Sequence, residues 1–245
     1  YINDVSNSEL KKIKKKNIFS LKEISKISDR NIIIFCLPTP LNKKNLPDLS
    51  YIKNAIKYCK KFIKRDVTLI LESTVYPGAT RELFNNFLDP IKKINYGFSS
   101  ERISPGQTDK KLYKISFTNI PKVVSGSDKL ALNKISNFYF LIFDKIHRTK
   151  TIEIAEMSKL LENSYRAVNI SFINEFKMIC LENKINIHEV IEAASTKPFG
   201  FTTFLPGPGV GGHCIPIDPL YLFWYARKNN QESNFIHLAK KLNSK

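Results

Sequence analysis

Several features are scarce in this chain, and each absence excludes a class of protein. The 245 residues include four widely spaced cysteines, with no C-x-x-C pair and no Cys/His cluster. Neither a metal site nor a disulfide framework is therefore predicted. No run of about 18 apolar residues occurs, so we expect no membrane-spanning helix. Because the N-terminus also lacks the apolar core of a signal peptide, we expect a cytoplasmic protein in a reducing compartment.

Acidic residues are few relative to basic ones. The 22 Asp and Glu face 39 Lys and Arg, which gives a formal net charge of +17. Such an excess of positive charge can favour binding to nucleic acid, to an anionic membrane or to an anionic small substrate. The lysines stand among Ile and Asn, as in residues 11–17, and aromatics do not alternate with them as in nucleic-acid modules. We predict solvated surface lysines, with no nucleic acid or membrane as partner. A nucleic-acid module is the alternative, which a steep salt dependence of binding would reveal.

Strand and helix patterns alternate between residues 31 and 148. Short apolar runs typical of buried parallel strands alternate with amphipathic segments, on one of which Cys59 belongs to the apolar face. The strands are predicted at 31–37, 67–71, 95–99, 122–126 and 145–147, and the helices at 48–64, 80–88 and 128–138, after a short basic helix at 8–16. This alternation predicts an α/β fold with a doubly wound, Rossmann-like parallel sheet.

Polar residues follow the first two strands. Thr39 lies in Pro38-Thr39-Pro40, and Thr74 lies where the second strand passes into a turn before Pro77. Ligands of open α/β sheets bind at the carboxyl ends of the strands, so both threonines are candidate cofactor contacts. A simple turn is an equally acceptable interpretation of Thr39.

Residues 151–183 contain neither Gly nor Pro, which predicts one long helix followed by a helical domain. It is apolar on most sides and should be buried or pack against a second subunit, so a homodimer through this helix is expected. Lys159, Asn163 and Arg166 fall on one stripe. Such groups are costly to bury without a purpose, which suggests a functional site; a solvated stripe is the alternative.

The most distinctive stretch reads KPFGFTTFLPGPGVGGHCIPIDPLY, at residues 197–221. Its glycines let backbone N–H groups approach a ligand and its prolines stiffen the loop. Cys214, with Asp218 four residues later, suggests covalent catalysis. A glycine-rich linker with a buried cysteine is the alternative. Residues 207–212 also match G-x-G-x-x-G, but prolines flank them and no helix can begin at Gly212, so we reject a dinucleotide fingerprint.

KPFGF, PGPGVGGHCIPIDP and EMSKLLENSYRAVNISFINE together resemble the UDP-glucose/GDP-mannose dehydrogenase family. The similarity is greatest to the branch that oxidises UDP-N-acetylhexosamines, with UDP-N-acetylglucosamine favoured. The turn SERISPG resembles the family's P-E-R-x-x-P-G, with Ser100 in place of proline. Ile217 stands where members often carry a lysine that contacts the cofactor.

The resemblance implies an NAD-dependent, four-electron oxidation of a nucleotide sugar's C6 alcohol to a uronic acid, for surface polysaccharide synthesis. Cys214 would be the nucleophile, Lys159 and Asn163 would stabilise oxyanions, and Asp218 would activate water. Thr74 and Glu101 would assist proton removal. The residues expected to bind substrate are Glu101, Arg102, Lys159, Asn163, Arg166, Phe204, Gly207, Gly209 and Gly211.

By the same resemblance, residues 1–148 are the remainder of an NAD-binding domain and residues 149–245 a central helical domain with the Cys214 loop. The family's first βαβ unit, with its own G-x-G-x-x-G, would precede Tyr1, and its UDP-binding domain would follow Lys245. We therefore expect a fragment that is inactive alone. Two alternatives are a catalytically inactive fragment that acts in assembly and a dehydrogenase of UDP-glucose, UDP-N-acetylmannosamine or GDP-mannose.

Overall fold

The computed structural model describes residues 8, 11, 21–64, 66–87, 94–102, 117–212 and 214–243. Most of the helix predicted at 8–16 and the end of the SERISPG turn lie outside these residues. The chain divides into two compact units. The first comprises Tyr1–Thr39 and Leu49–Glu156, and the second comprises Pro40–Asp48 and Met157–Lys245.

Three parallel strands form the sheet of the first unit, in the order β1 (Ile32–Phe35), β2 (Thr68–Leu71) and β3 (Asn95–Phe98). Ile33 pairs with Leu69, and Leu69 with Tyr96. All four residues of β2 are buried, as expected for a central strand covered on both faces. The parallel α/β architecture predicted from the sequence is confirmed.

Strands β4 (Lys122–Val124) and β5 (Ile146–Arg148) pair in parallel with each other. The amide of Ser125 donates to the carbonyl of Phe98 at 2.9 Å, and that of Ser127 to Tyr96 at 2.7 Å. Residue numbers thus rise on one segment as they fall on the other, so residues 125–127, which follow β4, lie beside β3 and run in the opposite direction. The approach is so close that a Cβ on Gly97 would lie 2.0 Å from the Ser125 carbonyl oxygen. Strands β4 and β5 themselves form a separate two-stranded sheet.

Helices α1 (Ser50–Cys59), α2 (Ala79–Phe87) and α3 (Lys129–Tyr139) complete the first unit, with 3₁₀ turns at Leu21–Asp29, Lys60–Phe62 and Phe117–Asn119. Cys59 is buried on the apolar face of α1, as predicted. Asp128 caps α3 by accepting a 2.8 Å hydrogen bond from the Ala131 amide. One cluster of its core consists of Ile70, Val124, Ile135, Tyr139 and Phe143.

The long helix α4 (Ile152–Glu182) is followed by α5 (Ile187–Ser195), α6 (Asp218–Lys228) and α7 (Asn234–Asn243). Helix α4 ends where Lys184 takes a positive φ of 56°, a common way to terminate a helix. Ile173, Cys180, Ile187 and Ile191 form a small core, against which Phe204 of the loop 196–217 packs. The predicted single long helix is confirmed.

Candidate active site

The two threonines predicted to contact a cofactor lie on turns that the structure ties together. Thr39 and Thr74 are both half-buried, four residues after β1 and three after β2. The hydroxyl of Ser73 accepts a 2.8 Å hydrogen bond from the Leu37 amide and donates to the Leu37 carbonyl at 2.6 Å. A single buried serine therefore fixes the turns that follow both strands.

Helix α2 begins directly after the Thr74 turn, and its N-terminus is already occupied. The buried carboxylate of Glu156 accepts hydrogen bonds from the amides of Gly78, at 2.6 Å, and Thr80, at 2.9 Å. A phosphate group commonly binds to such amides, but here a side-chain carboxylate takes that place. The hydroxyls of Thr39 and Thr74 are groups that can hydrogen-bond to NAD, whereas Glu156 takes the amides at the start of α2 and leaves no place there for the pyrophosphate.

Glu156 was not predicted from the sequence, although it lies one helical turn before Lys159. It is fully buried, and burial raises the pKa of its carboxyl from 4.5 to about 7, an effect that the Thr80 and Gly78 amides only partly offset. Between these two values the folded chain keeps a proton that the unfolded chain releases. Stability should therefore fall as the pH rises through this window.

Replacing Glu156 with glutamine should remove this pH dependence, because the amide does not ionise. From about pH 4.5 to about pH 8, the free energy of unfolding should fall by about 3 kcal/mol less in Glu156→Gln than in the wild type. Denaturant unfolding at both pH values provides the measurement. Glu153→Gln, on the same helix but half-exposed and paired with Arg81, is the control. Equal pH dependence in the wild type and Glu156→Gln would contradict the assignment.

Glu101 follows β3 on the turn that resembles the family's P-E-R segment. One carboxylate oxygen accepts from the Arg102 amide at 2.7 Å, and the other lies 3.1 Å from the ammonium of Lys122. Lys122 also lies 2.9 Å from Glu72. Neither Lys122 nor Glu72 was predicted as a functional residue, since a charged residue at either end of a strand normally faces water.

Two residues predicted to be catalytic meet in the second unit. The side-chain amide of Asn163, on α4, donates to the carboxylate of Asp218 at 2.5 Å, and both residues are buried. Lys159 lies one turn earlier on the same helix and is half-buried. Arg166 is exposed, so the expectation that burial would be costly applies to Asn163 and not to the whole stripe.

Cys214 is exposed, which excludes the alternative of a buried linker cysteine. Its carbonyl oxygen accepts from the amides of Ile217, at 3.1 Å, and Asp218, at 2.9 Å. This single turn leads directly into α6, where Pro219 occupies a position in the first turn that needs no amide hydrogen. The thiol is therefore held one turn before the buried carboxylate of Asp218.

The loop before Cys214 is anchored to α4. The amide of Gly207 donates to the Asn174 side chain at 2.9 Å, and the ring of Phe204 lies 5.9 Å from that of Tyr165. Asn174 was not predicted, although it belongs to the long helix that carries the predicted site. Residues 201–217 of the described chain form neither helix nor strand, and α6 begins only at Asp218. Rejection of a dinucleotide fingerprint at 207–212 is thus confirmed.

The glycines of this loop serve two purposes. Gly209 and Gly212 have φ values of 120° and 82°, which disfavour any residue with a Cβ. Around Gly207 and Gly211 no atom would approach an added Cβ more closely than 4.0 Å. The backbone at these two glycines is therefore open on the side where a Cβ would stand.

Two negative findings apply to the residues that the structure describes. Within those ranges no helix is long and apolar enough to cross a membrane. The same described residues contain no group of three His, Cys, Asp or Glu side chains able to hold a metal ion.

Comparison with known proteins matches both halves of the chain to domains of one family. Models of the UDP-glucose/GDP-mannose dehydrogenase family match residues 4–140 as its NAD binding domain and residues 153–245 as its central domain. A UDP-N-acetyl-D-glucosamine 6-dehydrogenase from Pseudomonas aeruginosa is 34% identical over 98% of this chain and 56% of its own length. A UDP-N-acetyl-D-mannosamine dehydrogenase from Methanocaldococcus jannaschii is 35% identical over 93% of this chain and 51% of its own.

The fold agrees with these relatives. The solved UDP-D-ManNAc dehydrogenase of Pyrococcus horikoshii superposes with a TM-score of 0.80 and 30% identity, covering 90% of this chain and 52% of that protein. The chain thus spans about half the length of the relatives it matches. Because the family models match most of its residues, the chain belongs to the UDP-glucose/GDP-mannose dehydrogenase family.

Proposed function

We propose that the protein oxidises the C6 alcohol of a UDP-N-acetylhexosamine to a carboxylate, with NAD as the oxidant. The observation that carries the proposal is the exposed thiol of Cys214, held one turn before a buried Asp218 that Asn163 contacts. An exposed thiol one turn before a helix whose first residue is a buried carboxylate can perform covalent catalysis on a carbonyl group.

The cysteine solves the problem of holding the aldehyde between two oxidations. Its sulfur forms a bond to the aldehyde carbon while the carbonyl oxygen takes a proton, which gives a thiohemiacetal. Loss of hydride and a proton converts this adduct to a thioester. Water then adds, the C–S bond breaks, and the carboxylate leaves as the thiol is regenerated. Each of the two oxidations would need one NAD⁺ as hydride acceptor, so two NADH would form per acid.

The residues around Cys214 have roles that follow from their chemistry. A side-chain amide carries two N–H donors, and Asn163 uses one on Asp218, which leaves the other able to meet a substrate oxyanion. Lys159 would supply a positive charge to the same oxygen. Asp218, a hydrogen-bonded carboxylate near the cysteine in sequence, would orient or deprotonate the hydrolytic water.

Other assignments are supported by the family resemblance. Thr74 and Glu101 would assist removal of the alcohol proton, and Thr39 and Thr74 would contact NAD. The proposed contacts to sugar and phosphate are Arg102, Arg166, Phe204, Gly207, Gly209 and Gly211. A cytoplasmic location and the proposed boundary between residues 148 and 149 remain predictions.

The substrate class is tested by product identification. Relatives of about equal identity are named for UDP-N-acetylglucosamine and UDP-N-acetylmannosamine, and the loop motif favours the former. The intact protein, with NAD, should convert UDP-N-acetylglucosamine to its uronic acid, detected by mass spectrometry with two NADH formed per acid. UDP-N-acetylmannosamine and UDP-glucose serve as comparison substrates. Absence of NADH formation with all three would contradict the proposal.

We also propose that the protein forms a homodimer through α4. Large apolar side chains on this helix are exposed, and several recur at spacings of three, four or seven residues along one face. They are Ile154, Leu161, Tyr165, Phe172, Phe176 and Ile179. A monomer rarely exposes so long an apolar face, and a second copy of the same helix would cover it.

Phe172→Asp should dissociate this dimer, because it places a charge in the centre of the apolar face. The dissociation constant should rise at least about tenfold, as is typical when an aromatic anchor is removed. Analytical ultracentrifugation over a range of concentrations provides the measurement. Asn183→Asp adds the same charge just beyond the end of α4 and should leave the dimer intact. Wild-type protein that sediments as a monomer would contradict the proposal.

A further inference from the structure

A buried ammonium group lies at the carboxyl edge of β1–β3. Lys122 opens β4, and its side chain is only 3% exposed. Its Nζ lies 2.9 Å from Glu72, which follows β2, and 3.1 Å from Glu101, which lies on the turn after β3. Burying an ammonium is expensive unless its partners compensate, so a lysine held between two carboxylates requires an explanation.

Glu72 provides a fixed anchor for this lysine. Its carboxylate accepts hydrogen bonds from the hydroxyl of Tyr139, at 2.5 Å, and the thiol of Cys36, at 3.2 Å. Burial, together with Glu72, raises the pKa of Cys36 to about 12 and also raises that of Tyr139, so both groups stay protonated as donors. The ammonium also lies over the rings of Tyr139 and Phe143, at 5.1 and 5.3 Å. The position of the Lys122 ammonium is therefore determined by Glu72 and by the two aromatic rings against which it packs.

Glu101 has a different environment. Its side chain is 44% exposed, and an exposed glutamate ordinarily samples several rotamers. Here one oxygen is held by the Arg102 amide and the other by Lys122. The Arg102 guanidinium donates to the carbonyl of Pro121, the residue before Lys122, which ties the same turn to the start of β4. The exposed carboxylate is thus fixed at both oxygens.

We propose that Lys122 is a positioning residue, which holds the carboxylate of Glu101 in one orientation for the proton removal that the proposed function assigns to it. The inference rests on that proposed function. If Lys122 served only to neutralise Glu72, its contact with the half-exposed carboxylate of Glu101 would have no consequence for turnover.

The first test is Lys122→Met in the intact protein, which keeps the length of the stem and removes the charge. With UDP-N-acetylglucosamine and NAD, kcat should fall about tenfold or more, since a displaced proton acceptor loses part of a contribution of about 10²–10⁴. The KM for NAD should stay within about twofold, because the cofactor contacts are unchanged. Lys122→Gln retains an N–H donor, so its kcat should fall less than that of Lys122→Met. It also provides a second variant if the methionine variant does not fold.

A double-mutant cycle separates positioning from structural support. If Lys122 acts through Glu101, adding Lys122→Met to Glu101→Gln should cause no further loss of kcat. Glu72→Gln removes the charge but keeps the side-chain oxygen that Lys122 and Tyr139 contact. Lys122 should therefore still reach Glu101, and kcat should stay within about threefold of the wild type. Additive losses in the cycle, or a loss from Glu72→Gln equal to that from Lys122→Met, would overturn the inference.

Failure of the proposed function and failure of the inference about Lys122 give different experimental results. Wild-type protein that forms no NADH with any nucleotide sugar overturns the proposed function and this inference together. Active wild-type protein with equally active, folded Lys122→Met and Lys122→Gln variants overturns the inference alone.

Discussion

Cys214→Ala is expected to abolish formation of the uronic acid by the intact protein. A methyl group cannot form the bond to carbon that holds the aldehyde, and the second oxidation has no thioester to produce. The rate of acid formation should fall by at least about a thousandfold, because loss of a covalent nucleophile leaves only the contribution of binding and oxyanion stabilisation. Mass spectrometry of the product, with NADH absorbance measured in parallel, tests this result.

The chain provides a matched control for this variant. Cys36 is also an exposed residue, but its thiol group is partly desolvated and donates to Glu72, and its pKa of about 12 keeps it protonated. Cys36→Ser keeps a donor at that position and should retain acid formation within about twofold of the wild type. If Cys214→Ala forms acid at the wild-type rate, the thiol is not the nucleophile and the proposed mechanism is wrong.

Local sequence pattern was sufficient to predict most elements of the fold. The first strand was predicted at 31–37 and is found at Ile32–Phe35, because a short run of β-branched residues is bounded by polar residues and prolines. The long helix was predicted at 151–183 and is found at Ile152–Glu182. It could be predicted because no Gly or Pro interrupts it before a stop near Asn183.

The separation of β4 and β5 from the sheet of β1–β3 could not be predicted in this way. Alternating strand and helix patterns favour one continuous parallel sheet, but β4 and β5 form a two-stranded sheet of their own. Which strands pair depends on contacts between residues distant in sequence, and apolar periodicity does not reveal those contacts.

Partners distant in sequence were also beyond prediction. The carboxylate of Glu156 binds the Gly78 amide 78 residues away, and Lys122 joins Glu72 to Glu101. Each charged residue, seen alone, is typical of a solvated surface. Conversely, the stripe of Lys159, Asn163 and Arg166 was predicted from helical spacing, but spacing does not say which of the three a neighbouring segment covers.

Lys159→Ala is expected to lower the turnover number by about 100-fold or more, the usual consequence of losing one oxyanion stabiliser. Lys159 lies one turn before Asn163 on α4, and Asn163 contacts Asp218 in the same unit as Cys214. Removing the ammonium should therefore affect the charged states of the adduct on sulfur more than the binding of the uncharged alcohol. Steady-state kinetics with UDP-N-acetylglucosamine should show a fall in kcat with a smaller change in KM.

Lys177→Ala provides the comparison that decides whether this effect is specific. Lys177 lies on the same helix, is half-buried like Lys159, and is separated from it by five turns. Both substitutions remove one positive charge and one long stem from α4, so a general effect on helix stability or net charge should appear equally in each. A loss confined to Lys159→Ala locates the effect at the Asn163 end of the helix. Equal losses would show instead that Lys159 is an ordinary surface lysine, and the oxyanion role would then have to be met by Asn163 alone.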